Sequence, residues 1–170
     1  GKITHHLPHK VPRMNLFLRM FYLLAASFFK PRLPIEHPRN SLSMRVLPND
    51  IDINRHMNNG RYLTICDLSR VDMFIRTGLA KTMLKERWMP VISEHSMQYK
   101  KPLGLFHKYD VNMEITGWDE KFFSMTHTFM VGDRIVAQGE SRGCVISKKG
   151  VIPPADVMQR VKSRLDKVAT

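Results

Sequence analysis

Between Tyr109 and Thr116 the chain alternates with a period of two. Tyr109, Val111, Met113 and Ile115 fall on one side and Asp110, Asn112, Glu114 and Thr116 on the other. That pattern predicts a strand with one buried face. Trp118-Asp119-Glu120-Lys121 predicts a turn into a strand that runs through Met130, and Gly132-Asp133 a second turn into a strand over 134–147. Upstream, residues 91–101 (VISEHSMQYKK), just after Pro90, and residues 42–47 also read as strands. Between these two the period changes. Over residues 60–86, Tyr62, Ile65, Cys66, Leu68, Val71, Phe74, Ile75 and Leu79 make a helical stripe so wide that much of the helix must be enclosed. One strand, a long enclosed helix and four strands joined by short turns predict an α+β domain over 42–152, an antiparallel sheet wrapped around the helix. Residues 153–170 follow: a Pro-Pro-Ala-Asp start with Val157, Val161, Leu165 and Val168 in step predicts a basic amphipathic helix.

Residues 1–41 have a different pattern. The run 15–29, NLFLRMFYLLAASFF, is apolar on every side except Arg19 and has basic residues on both flanks. It is shorter than the roughly twenty residues a bilayer span needs. Three readings stay open: a helix docked on the domain or on a partner subunit, an interfacial membrane anchor, or an uncleaved signal-like segment. Residues 30–41, with three prolines, read as an extended linker. Gly1 is no initiator, and Met14 is the expected natural start, with residues 1–13 partly foreign.

Charge changes the picture only at the ends. The net charge is +12, divided as +6 over residues 1–39, +2 over 40–147 and +4 over 148–170. No recognition surface is concentrated in the body, and no helix-turn-helix, RNP-like or zinc-finger spacing accompanies the excess, which argues against a nucleic-acid partner. Cys66 and Cys144 lie far apart within apolar runs, which suits a reducing compartment and gives no metal-ligand spacing. The expected location is cytoplasmic, with peripheral membrane contact through residues 15–29 under the second reading of that run.

Candidate chemistry sits in one stretch, DIDINRHMNNGRYL, residues 50–63. Asp52, Asn54 and His56 are spaced i, i+2, i+4, which favours convergence in an extended loop or a helical turn. Asn58 or Asn59 is a helix N-cap candidate, and the helix N-terminus beyond it offers unpaired backbone N–H groups and partial positive charge. A carboxylate, an amide, an imidazole and aimed N–H donors are what attack on a carbonyl requires. The alternative is that Asp and Asn gather here only to satisfy a turn.

The same stretch resembles the signature of the hotdog-fold thioesterases of the 4-hydroxybenzoyl-CoA thioesterase group, D-x-D-x-x-G-H-V-N-N-x-x-Y. It is similar also to the loop of plant acyl-carrier-protein thioesterases, and closest to bacterial proteins similar to thioesterase superfamily member six. Tyr99-Lys100-Lys101-Pro102-Leu103, Gly117-Trp118-Asp119 and Met14-Asn15-Leu16 add to the resemblance. The resemblance implies a hotdog fold and hydrolysis of an acyl-CoA or acyl-carrier-protein thioester without metal or organic cofactor. It also implies a homodimer or higher homo-oligomer with active sites between subunits. Residue by residue, it implies Asp52 as nucleophile or as base for water. Asn54 and His56 orient water and carboxylate, Asn59 polarises the thioester carbonyl through its backbone N–H, Gly60 is the neighbouring donor, and Asp50 is structural. Arg61, Lys100 and Lys101 are candidates for the CoA phosphates.

Two departures stand out. Arg55 replaces the usual glycine, and no acid follows Tyr99, where the plant enzymes carry a later catalytic acid. Glu94 and Asp67 are the substitutes, although a strand-surface role for Glu94 and an ion pair of Asp67 with Arg70 are the plainer expectations. An enoyl-thioester hydratase, with D-x-N-P-x-H, is disfavoured because His56 lies four positions after Asp52 with no proline between. A non-catalytic acyl-thioester or lipid-binding module at a membrane surface is the other alternative.

Overall fold

The structure, a computed structural model, describes residues 14–170. The expectation for residues 1–13 lies outside the described residues. In chain order the elements are α1 (Met14–Phe29), β1 (Arg39–Arg45), a 3-10 turn (Pro48–Asp50), α2 (Asn59–Thr77), α3 (Leu79–Glu86), β2 (Met89–Tyr99), β3 (Lys108–Trp118), β4 (Phe123–Val131), β5 (Arg134–Ser147), β6 (Gly150–Ile152) and α4 (Pro154–Ala169). The strands form one antiparallel sheet in the order β1-β3-β4-β5-β2, with β6 paired to the end of β5. It curls around α2 as the alternation predicts: Tyr109, Val111, Met113 and Ile115 are all buried.

Several boundaries differ from expectation. β1 spans Arg39–Arg45 and not 42–47, because residues 39–41, expected as linker, pair with Glu114, Met113 and Asn112 of β3. The single helix over 60–86 is two helices, because Gly78 adopts the left-handed conformation at φ 84° and caps α2 with its N–H on the Ile75 carbonyl. Leu165 of α4 packs at this bend, 3.4 Å from where a Gly78 Cβ would stand. β2 begins at Met89 and includes Pro90, which an edge strand accommodates because proline's lack of an N–H costs no ladder bond on the open side. β6, three residues long, is too short to show any period.

The core is divided. Tyr62, Ile65, Cys66, Tyr109, Val111 and Phe129 belong to one apolar cluster; Met73, Leu79, Met83, Met125, Val157 and Val161 belong to another. Between them along α2 lie Ser69, Arg70 and Asp72, all buried and none of them anticipated from the stripe. Asp72 accepts from Ser27 Oγ (2.6 Å) and Asn40 Nδ2 (2.8 Å) and pairs with Lys30 and Arg76. Burial acts to raise its pKa, but those hydrogen bonds and charges outweigh it and hold the carboxyl below its ordinary value.

These contacts dock the run 15–29, within helix α1, on the domain by one face, and they leave its other face to the membrane reading. Arg19, its one charge, points inward to Asp50, and Ser27 points inward to Asp72. The linker after it is pinned to the end of α2 by Leu33 N–H on the Arg76 carbonyl and Arg76 Nε on the Pro31 carbonyl. Cys66 and Cys144 are free and buried, and burial pushes the Cys66 thiol up to about 12.

Candidate active site

The loop between β1 and α2 is built around two aspartates with opposite surroundings. Asp50 is 2% exposed and fully engaged. Arg19 of α1 reaches both its oxygens (3.0 and 2.9 Å), Arg61 Nε lies 3.0 Å from Oδ1, and the Leu47 N–H donates to Oδ2 at 2.9 Å. Two guanidinium groups on one buried carboxylate replace the water it has lost, so its structural role follows from the geometry. The same contacts place Arg61 away from its expected task. Its guanidinium is held by Asp50 and, at 2.9 Å, by the Asn49 carbonyl.

Asp52, two residues on, is only partly covered. Its N–H donates to the His56 carbonyl (2.9 Å), and Arg55 N–H returns to the Asp52 carbonyl (3.1 Å). Oδ1 accepts from the backbone of Asn54 (2.8 Å) and, more weakly, of His56 (3.4 Å), an Asx-turn arrangement. Oδ2 has no hydrogen-bond partner among the described residues. The loop thus orients one oxygen with its own backbone and presents the other. Ile51 pairs with Met57, His56 bridges to Gly104, and Met57 N–H donates to the Leu103 carbonyl, fixing the loop's base. Arg55 has φ 62°. Glycine suits that left-handed position best, which explains why the motif usually carries one there.

Asn58 is the N-cap of α2, its Oδ1 accepting from Gly60 N–H at 2.7 Å. This corrects one expectation. The Gly60 N–H is consumed by the cap and is no second donor. The Asn59 N–H has no acceptor among the described residues and sits at the positive end of a 19-residue helix. Its carbonyl accepts from Tyr99 Oη (3.3 Å), and Tyr99 stands edge-on to Tyr62, 5.0 Å between centroids. Tyr99 was visible in the sequence as part of a motif, but nothing in its spacing tied it to Asn59. Burial raises its pKa, so it is a neutral donor.

The predicted convergence is therefore one of backbone with carboxylate. Asn54 and His56 bring their N–H groups to Asp52, while their side chains are exposed and make no hydrogen bond among the described residues. Lys100 and Lys101 are exposed, both their N–H groups on the Val136 carbonyl, with no carboxylate within ion-pair reach among the described residues. Of the two substitute acids, Glu94 lies on the strand surface near Arg142 (3.7 Å) and Asp67 pairs with Arg70, the plainer expectation in both cases.

Concavities of about 580 and 440 Å3 lie elsewhere. One is lined by Arg39, Ser41, Asn112 and Glu114, the other by Ser96, Gln98, Gln138 and Glu140. The loop of Asp52 stands on an open surface beside β2, an edge strand with Met89, Val91, Ile92 and Tyr99 exposed.

A carboxylate oriented by an Asx turn thus precedes, in one loop, an open N–H at the N-terminus of a helix that a sheet curls around. Residues 46–165 match the model of the Thioesterase-like superfamily, and the chain belongs to it. Among curated relatives it is 26% identical over 140 residues to Protein THEM6 of Drosophila melanogaster, covering 81% of this chain and 70% of the relative. It is 33% identical over 91 residues to Protein THEM6 of Xenopus laevis, covering 54% of this chain and 44% of the relative, so the match spans less than half of the vertebrate protein. Among solved structures, YbaW, a probable thioesterase from Escherichia coli, superposes with TM-score 0.67 at 16% identity, covering 71% of this chain and 94% of that one. A 4-hydroxybenzoyl-CoA thioesterase variant complexed with 4-hydroxybenzoyl-CoA gives TM-score 0.63 at 15% identity, covering 72% and 98%. The fold is the hotdog fold.

Proposed function

We propose that the protein hydrolyses acyl-CoA thioesters, with Asp52 as the base that activates water. The observation that carries this reading is that one short loop presents Asp52 Oδ2 and, seven residues on, the open Asn59 N–H at the start of α2. Water gives its proton to Asp52 as its oxygen attacks the thioester carbonyl. The negative charge passes to the carbonyl oxygen, where the Asn59 N–H and the helix dipole stabilise it. Collapse breaks the carbon–sulfur bond and releases the acid, and the proton held by Asp52 passes to the departing thiolate. Asn54 and His56, on the exposed side of the same turn, orient the water. Lys100 and Lys101 are the cations available to the CoA phosphates, whereas Arg61 is engaged with Asp50.

The second half of the site comes from another copy of the chain. The support is the open setting of Asp52 and the exposed edge of β2, eleven residues with apolar side chains uncovered, which is what a strand awaiting a partner strand presents. Thiol release from a panel of acyl-CoAs tests the activity. Asp52→Asn, folded, is expected to lower turnover at least about a hundredfold. Turnover near that of the unchanged protein would refute the assignment and favour a binding module.

A further inference from the structure

Helix α1 is an amphipathic helix docked the wrong way round. A surface helix ordinarily buries its apolar stripe and shows its polar side to water. Here the polar residues are inside. Arg19 reaches Asp50 and the Arg45 carbonyl (2.8 Å), and Ser27 reaches Asp72, with Leu23 packed on the core between them. At 100° per residue these three fall on one side of the helix. Phe17, Phe21 and Phe28, with Leu18, Tyr22 and Phe29, fall on the other, and all six are exposed, Phe29 to 89%. Such a stripe, on a helix fixed by an ion pair and a hydrogen bond to buried carboxylates, is a surface uncovered among the described residues and not a frayed end.

Exposed apolar and cationic residues lie near α1 along the chain or through Arg19. Arg45 Nη1 donates to the Phe106 carbonyl (3.0 Å), and Arg45 is itself the acceptor for Arg19, so the exposed Leu105–Phe106 turn adjoins α1. Ile53, 99% exposed, stands at the tip of the Asp52 loop. Arg32, Arg45, Arg55 and Lys108 are exposed around these segments. No described helix is long and apolar enough to cross a membrane, and α1 is held along the domain by its inner face.

We propose that this face seats the protein on an anionic lipid surface. α1 lies flat, with its phenylalanines at the boundary of headgroups and acyl chains and the surrounding cations on the headgroups. Because Arg19 grips Asp50, two residues before Asp52, this seating holds the catalytic loop at the lipid. That last point rests on the thioesterase reading; the binding itself does not. A second copy covering the stripe is the competing occupant.

Sedimentation with phosphatidylcholine vesicles, with and without about one third phosphatidylserine, tests it, using the full chain and Phe21→Asp/Phe28→Asp. Both side chains are exposed, so the variant should melt as the unchanged protein does and hydrolyse a short, soluble acyl-CoA at the same rate. The expected result is capture by the anionic vesicles only, weakened at high salt, and lost at least about tenfold in the variant. An unchanged protein that stays in solution overturns the proposal, as does capture indifferent to lipid charge and salt. A variant whose oligomer dissociates assigns the stripe to a second copy and overturns it too. Loss of hydrolysis in Asp52→Asn with capture intact separates the two readings.

Discussion

His127 has no exposure at all, and its Nε2 shares a 2.9 Å hydrogen bond with Ser141 Oγ while Nδ1 has no partner among the described residues. It stands beside Arg70 and tilted against His95 (5.9 Å), within the polar layer that divides the core. Burial first, then the charges of Arg70 and His95, push its pKa down to about 3. In the unfolded chain the imidazole takes a proton near pH 6.5, so between those values the unfolded state binds more protons than the folded one. The contribution is whole above about pH 6.5 and is lost as pH falls toward 3. By pH 5 the loss amounts to about 2 kcal/mol. His127→Gln, which keeps a partner for Ser141, is expected to flatten this part of the stability profile, read from denaturant midpoints at pH 7 and pH 5. Equal losses in the two proteins would show that other groups carry the acid sensitivity.

Among elements, the break between α2 and α3 carries the clearest consequence. Gly78 ends α2 at φ 84°, and Leu165 and Val161 of α4 close against it. Gly78→Ala keeps helix propensity on both sides but forces a side chain into the left-handed region, partly offset by a stiffer unfolded chain. A loss of about 1 kcal/mol is expected from thermal or denaturant unfolding. A variant as stable as the unchanged protein would show that the bend does not depend on glycine. This element also marks where the sequence could be read and where it could not. The strands and the enclosed helix were legible because burial imposes a period on them. The bend was not, since an isolated glycine within an apolar stripe looks like a tolerated interruption. Likewise Asp52, Asn58 and Asn59 could be located by spacing. That Asn58 consumes the Gly60 N–H, or that Asp50 captures Arg61, depends on directions of side chains that no period encodes. The docking of the inner face of α1 depends on Arg19 and Ser27 finding buried carboxylates thirty or more residues away, which no local pattern shows.

At the scale of the whole molecule, a sheet with an uncovered long edge is incomplete. β2 offers that edge next to Tyr99 and the start of α2, where the proposed chemistry lies. If a second copy completes both sheet and site, a charge placed on the edge should cost assembly and turnover together. Val91→Lys is expected to shift the protein from dimer to monomer in light scattering and to lower hydrolysis in parallel. A monomer with full activity would place the whole site within one chain. The aromatic face of α1 is a separate surface, and its substitution should leave assembly through β2 intact.

Asp50 binds three parts of the chain at one point: Arg19 from α1, Arg61 from the first turn of α2, and the Leu47 amide from its own turn. The consequence is one of inheritance. Removing the carboxylate alone leaves two part-buried guanidinium groups without their shared counter-charge, and removing either arginine alone leaves the buried carboxylate short of a donor. Substitutions at 19, 50 and 61 are therefore tolerable chiefly in company. Across related chains that keep α1, these three positions should change together or not at all, and Arg19 should vanish only where another donor has come to Asp50.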